Sequence, residues 1–261
     1  MKQIYLTIDD APSSDFLNKV KLLKDNEIPA VFFARGDRLD NDKAIEEVSK
    51  AILDGFVIGN HLYSHTRVST LSFEVVKEEI IKTDKLIEQA YKRAGVEQKQ
   101  KYLRFPYLDR GCGALPVDKN KTPLEYQEKI KEAMGLIQIT SPLSEADEKL
   151  IEHKNKIQEL LKSLGYSQPL FDGVNYDWFK NSEFYTGFDV NMTMATGDSN
   201  LLPKYRYKGV TINDIFKGID ENFAKDINSA EIIIMHDYDQ EGMDEIFKTI
   251  INHLKNKVKF I

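Results

Sequence analysis

The sequence predicts an α/β protein whose parallel sheet closes into a barrel, with an open doubly wound sheet as the runner-up. Three observations carry this. Apolar runs rich in β-formers alternate with segments of helical period. The runs are solidly apolar, as expected of strands covered on both faces. Neither GxGxxG nor GxxxxGK[ST] occurs, which weakens the nucleotide-binding form of the open sheet.

The elements follow in order. QIYLTI (3–8) reads as the first strand and residues 15–24 as a helix, with Phe16, Leu17, Val20 and Leu23 at helical spacing. PAVFFA (29–34) is a second strand, and residues 43–53 form a helix stopped by Gly55. Residues 56–58 are a third strand. Residues 72–94 make a long helix between an N-capping Ser72 and a terminating Gly95. Short strands follow at 101–103, 170–174 and 231–235, and helices at 211–223 and 241–255. Residues 109–169 break the rhythm. Their Lys/Glu-rich helical patterns (124–134 and 145–164) suggest an insertion: a solvated helical hairpin, a lid or wall over a site, or an oligomer contact.

Composition bounds the function. A chain of 261 residues with 41% hydrophobic and 30% charged residues is globular and can bury a full core, as one domain over 1–261. The net charge of −6 argues against a nucleic-acid partner. One cysteine, Cys112, excludes an intrachain disulfide framework and fits a reducing compartment. No apolar run reaches the ~18 residues of a membrane helix, and MKQIYLTIDD carries no secretory pattern. The expected location is the cytoplasm, the inner membrane face included.

Ionisable residues gather just past the strands: Asp9 and Asp10, then Asn60, His61 and His65, then Arg104, then Asp177 with Trp178, and finally His236 with Asp237. In parallel α/β folds the carboxyl ends of the strands meet at one mouth, where active sites lie. His61 and His65 are spaced i, i+4, on one face if the segment is helical. A carboxylate from Asp9 or Asp10 would complete an Asp-His-His set, and three N/O ligands with open positions is a catalytic metal arrangement. Neighbouring side chains on an extended backbone point to opposite sides. One aspartate could then hold the metal while the other acts as a base.

These residues resemble the polysaccharide deacetylases, the NodB-homology domain of carbohydrate esterase family four. TIDDAP (7–12) resembles the family's TFDDGP, NHLYSH (60–65) its HxxxH, RFPY (104–107) its RxPY, DW (177–178) its fourth motif and IMH (234–236) its LxH, all in the family's order. The resemblance implies a distorted (β/α) barrel of about seven strands and metal-dependent removal of an N-acyl group from an amino sugar. It implies that Asp10, His61 and His65 hold the metal, zinc most often, with Co2+ or Ni2+ as alternatives. It implies Asp9 as base, Arg104 orienting Asp9, the Tyr107 N–H at the oxyanion, and His236 as acid with Asp177 holding its imidazole. Trp178 and Ile234 would line the acyl pocket, and the partner would be an N-acylated carbohydrate.

The chain departs from the pattern at Ala11 and Leu108, where glycine is usual, and at Leu62, where Ser or Thr is common. Ala11 is expected to alter a turn that needs positive φ or close approach. The aromatics of residues 166–207 are expected mostly in the core, with one or two in the groove. Two other readings compete. One is hydrolysis of a non-sugar amide, such as a formamide or cyclic ureide, on the same barrel. The other is a non-catalytic carbohydrate-binding module, against which the presence of both Asp9 and His236 argues.

Overall fold

The structure, a computed structural model, describes residues 1–113, 115–134 and 148–261; the first residues of the 145–164 helical pattern lie outside the described residues. The chain runs β1 (Lys2–Ala11), α1 (Phe16–Asp25), β2 (Ala30–Ala34), α2 (Gly36–Leu39), α3 (Asp42–Leu53), β3 (Val57–Asn60) and α4 (Phe73–Ala94). Then come α5 (Leu124–Ala133), α6 (Glu148–Ser163), α7 (Asp177–Lys180) and α8 (Glu183–Thr186). β4 (Met194–Ala195), α9 (Ile212–Lys225), β5 (Glu231–His236), α10 (Met243–Lys255) and β6 (Val258–Phe260) complete it.

Local chemistry sets the helix limits. The Ser72 hydroxyl accepts from the Val75 N–H, and Gly95 closes α4 at φ 66. Thr211 and Asp214 form a reciprocal capping box at the start of α9.

All strand pairs are parallel, in the order β3-β2-β1-β5-β4, with β6 also on β1. Irregular backbone closes the ring. Leu103 bridges to Asn60 at the β3 edge, and its carbonyl accepts from the Val190 N–H at 2.6 Å. The chain from Val190 then enters β4 beside β5. The result is the expected distorted (β/α) barrel, with six regular strands among the described residues and hydrogen-bonded backbone at 101–103 and 190–193 in place of further ones.

Two elements differ from expectation. Residues 170–174 form no strand. Asp172-Gly173 makes a turn in the middle of the run, with Gly173 at φ 80, so Phe171 and Val174 are buried while Leu170 is 83% exposed. Within 109–169, α6 is no solvated hairpin. Its Ile157 and Leu161 are fully buried in one cluster with Val76 and Ile80 of α4 and with Leu103 and Phe105. Polar sequence hid this, because one narrow apolar stripe suffices where the partner helix is already fixed. Even Lys154 of α6 is fully buried, paired with Glu183.

Truncating Ile157→Ala should therefore cost about 2–4 kcal/mol of unfolding free energy by the usual toll of an aliphatic cavity. Leu170→Ala should change it by less than about 0.5 kcal/mol. Denaturant titration of both variants checks the difference, and equal stabilities would return α6 to the surface.

Candidate active site

The carboxyl end of β1 presents the two aspartates. β1 pairs Ile8 with Phe32 and then Ala11 with Ala34, so it carries one extra residue, a bulge at Asp9-Asp10. Asp10 has φ 68, in the left-handed region. The expectation of opposite-facing side chains fails at this bulge, because the turned backbone re-aims Asp10. Asp9 Oδ2 and Asp10 Oδ1 lie 4.0 and 3.9 Å from the same His61 Nε2.

His61 follows β3, and its Nδ1 lies 2.8 Å from the Arg104 carbonyl. A carbonyl only accepts, so Nδ1 carries the proton and Nε2 offers its lone pair to the site. The segment to His65 is not helical. Leu62 at φ 59 and His65 at φ 56 turn the chain, and these turns bring the imidazoles together, with ring centroids 5.1 Å apart. His65 Nε2 lies 3.1 Å from Asp10 Oδ1. Burial, and then the neighbouring His61, push the His65 pKa down to about 4, so its imidazole is neutral at pH 7.

Asp10, His61 and His65 bring ligand atoms within 4.8 Å of one another. Asp10 Oδ1 is buried and accepts no hydrogen bond. A buried orphan carboxylate oxygen facing two imidazoles, one with its lone pair directed at it, fits a divalent cation and is costly otherwise.

Arg104 lies behind Asp9, fully buried, with Nη1 donating to Asp9 Oδ1 at 2.9 Å and to Thr7 Oγ1 at 2.7 Å. Tyr107, at φ 58, lays its ring against His65 at 4.7 Å. Asp237 is buried as well. It accepts from the Ser13 N–H and hydroxyl and from Lys19, and so pins the turn that leaves β1.

His236 ends β5. Its backbone N–H and its Nδ1 both meet the Asp198 carboxylate at 2.8 Å. Burial opposes the charged imidazole, but Asp198, with smaller help from Asp10 and Asp9, raises its pKa to about 9. The expectation for Asp177 is thus corrected: Asp198 holds this imidazole. Asp177 is exposed at the start of α7. Trp178 is corrected too. It stacks on Tyr176 and lines a separate cavity of about 280 Å³ with Thr193 and Glu231.

The main mouth is a cavity of about 450 Å³ holding Asp9, Asp10, His61, His65, Tyr107 and His236. Met192, Ala195, Leu202 and the expected Ile234 give it an apolar wall. Of the aromatic stretch 166–207, Tyr205 reaches this mouth, while Tyr166, Phe171, Phe179 and Phe184 are core. Sequence reasoning missed Asp198, Arg35, Arg38, Lys204 and Tyr238. Asp198 follows the two-residue β4 across a turn made by Gly197 at φ 83, and no apolar run in the sequence marks that strand.

Comparison with known proteins bears on the family and the fold. Residues 1–130 match the family model for polysaccharide deacetylase. The chain is 32% identical over 106 residues to a peptidoglycan-N-acetylglucosamine deacetylase of Bacillus cereus, covering 40% of this chain and 36% of that protein. It is 29% identical over 145 residues to a chitin deacetylase of Colletotrichum lindemuthianum, covering 51% of this chain and 56% of the relative. The chain thus spans about a third to a half of the curated relatives' lengths. The catalytic domain of a peptidoglycan N-acetylglucosamine deacetylase from Eubacterium rectale superposes with a TM-score of 0.56 at 12% identity, over 100% of this chain and 87% of that one, a likeness of fold.

The Asp198 contact is open to direct test. A raised pKa keeps His236 charged below about 9. Its contribution to stability is full below the ordinary histidine value of 6.5 and is lost as pH rises through about 9. NMR titration of Asp198→Asn should move the His236 midpoint down by roughly one unit or more. An unchanged midpoint would remove Asp198 from its role.

Proposed function

Because the chain belongs to the polysaccharide deacetylase family, we propose that it is a metal-dependent hydrolase that removes an N-acyl group, acetyl above all, from an amino sugar. The observation that carries this reading is one cavity holding an orphaned Asp10 carboxylate, two converging imidazoles, an arginine-held Asp9 and a charged His236.

Asp10, His61 and His65 would hold the cation, zinc by the donor set, with Co2+ or Ni2+ also compatible. When bound, it supplies Lewis-acid polarisation of the amide carbonyl and lowers the pKa of water towards ~7. The chain's own groups do the rest. Asp9, with one oxygen held by Arg104, takes a proton from the attacking water through its other oxygen. The Tyr107 backbone N–H steadies the oxyanion as the new C–O bond forms. His236 gives its proton to the amide nitrogen as the C–N bond breaks, and the amine leaves neutral. Asp198 fixes the imidazole tautomer and steadies its charged form. Met192 and Ile234 suit an acyl methyl. A cytoplasmic location remains part of this proposal.

The test joins metal analysis by mass spectrometry to free-amine release from acetylated chito-oligosaccharides. Wild-type protein should carry about one cation per chain and release amine, and His61→Ala should lose the metal. Asp9→Asn and Asp198→Asn should keep metal yet lose roughly 10²-fold or more in turnover. Asp177→Asn should remain within about twofold of wild type, since a solvated side chain away from the mouth contributes little. Turnover in Asp9→Asn at the wild-type rate would overturn the assigned base.

A further inference from the structure

The mouth carries a charge that a neutral acetylated sugar does not require. Four cationic side chains, Arg35, Arg38, Arg67 and Lys204, line it against two carboxylates, Asp9 and Asp10. This occurs in a chain of net charge −6. Both carboxylates are already engaged, Asp9 by Arg104 and Asp10 by the imidazole pair. Neither of them pairs with Arg67 or Lys204.

The four cations differ in their commitments. Arg35 is paired with Asp37 and lies 3.7 Å from Asp10. Arg38 donates to the backbone carbonyls of Asp10 and Asp237. Arg67 and Lys204 meet no carboxylate among the described residues. Each is instead held over an aromatic face, Arg67 at 4.5 Å from the Tyr107 ring and Lys204 at 5.0 Å from the Tyr205 ring. Such contacts position a cation without neutralising it. Lys208 shares the Tyr205 ring at 4.5 Å, so the 203–208 segment adds positive charge beside the mouth. A concave site with an excess of one sign of charge focuses its field and concentrates ligands of the opposite sign.

We propose that the substrate is an anionic N-acylated amino sugar, bearing a phosphate ester or a carboxylate that the Arg67–Lys204 rim receives while the acylamino group enters beneath. For the acylamino end, this inference rests on the deacetylase reading above. It adds the charge of the substrate, which that reading leaves open.

Isothermal calorimetry on the zinc-loaded Asp9→Asn protein tests it without turnover. The probes are N-acetylglucosamine, N-acetylglucosamine 1-phosphate, N-acetylmuramic acid and inorganic phosphate. One or both anionic sugars should bind about tenfold or more tightly than the neutral sugar, and which one does identifies phosphate or carboxylate as the anion. The advantage should vanish at about 0.5 M salt, where charges are screened within a few ångströms. Lys204→Ala and Arg67→Ala, each added to Asp9→Asn, should reduce the advantage about tenfold, as expected for loss of a hydrogen bond to a charged group. Equal affinity for neutral and anionic sugars overturns the inference. So does phosphate alone binding as tightly as the sugar phosphate, since the rim then holds a simple ion.

Wild-type turnover separates the two readings. Amine release from neutral and anionic sugars at equal efficiency defeats this inference and leaves the deacetylase intact. Salt-sensitive, rim-dependent binding of an anionic sugar, with no amine released from any substrate, upholds the rim and defeats the deacetylase.

Discussion

The mouth of this barrel depends on one buried cation, the guanidinium of Arg104. Its Nη1 reaches Thr7 and Asp9 on β1, its Nε the Val190 carbonyl and its Nη2 the Asn191 carbonyl, each of the last two at 3.2 Å. Its plane lies 4.6 Å from the Phe33 ring on β2. Its own carbonyl orients His61. One residue thus ties the first strand to the irregular closing segment, holds the Asp9 carboxylate and sets the His61 tautomer. Burial pulls the guanidinium's pKa down and Asp9 opposes the shift, yet an arginine does not deprotonate in proteins. Lysine, a point charge with no planar fork, could not make these separate bonds.

Arg104 supports a site that is conformationally expensive. Asp10, Leu62, His65, Tyr107 and Leu108 all have φ between 54 and 68 without being glycine. Such positions cost of order 1–3 kcal/mol each and persist where surrounding packing over-determines them. The packing is visible. Leu62 is fully buried among Val68 and Ile80, so apolar contact anchors the loop from His61 to His65 at a position where Ser or Thr is expected. The expectation for Ala11 is resolved by register. The left-handed turn falls on Asp10, one residue earlier, and the Ala11 methyl sits in the core at 1% exposure.

What could be read from sequence was what obeyed the strand-end rule. Asp9, Asp10, His61, Arg104 and His236 each follow an apolar run, and a parallel sheet brings such positions to one edge whatever the details. Asp198 obeys the same rule but follows a two-residue strand inside NMTMATGD, where no apolar run announces it. Asp177 follows residues 170–174, which turn at Asp172-Gly173 instead of forming a strand, so the rule does not carry it to the edge. The burial of α6 was hidden for a related reason. Its Ile151, Ile157 and Leu161 are a thin stripe in a charged helix, and only the surface of α4 decides whether such a stripe is covered. The bulge at Asp9-Asp10 has no local signature, because the register of β1 against β2 creates it.

His65 and His236 show how environment separates identical side chains. His65 is pushed down to about 4 and His236 up to about 9 within one cavity. Burial opposes charge on both, so burial cannot separate them. Partnership does. Asp198 grips the ring and the backbone of His236 together, accepts from the Ser199 N–H as well, and fixes the imidazole proton at Nδ1. Asp10 faces two imidazoles at once and bonds to neither, so no single proton can satisfy the group. Asp10 pulls the His65 pKa up, but burial and then the neighbouring His61 outweigh it and leave that ring neutral. Asp198, bonded directly to the His236 ring, outweighs burial and keeps that ring charged.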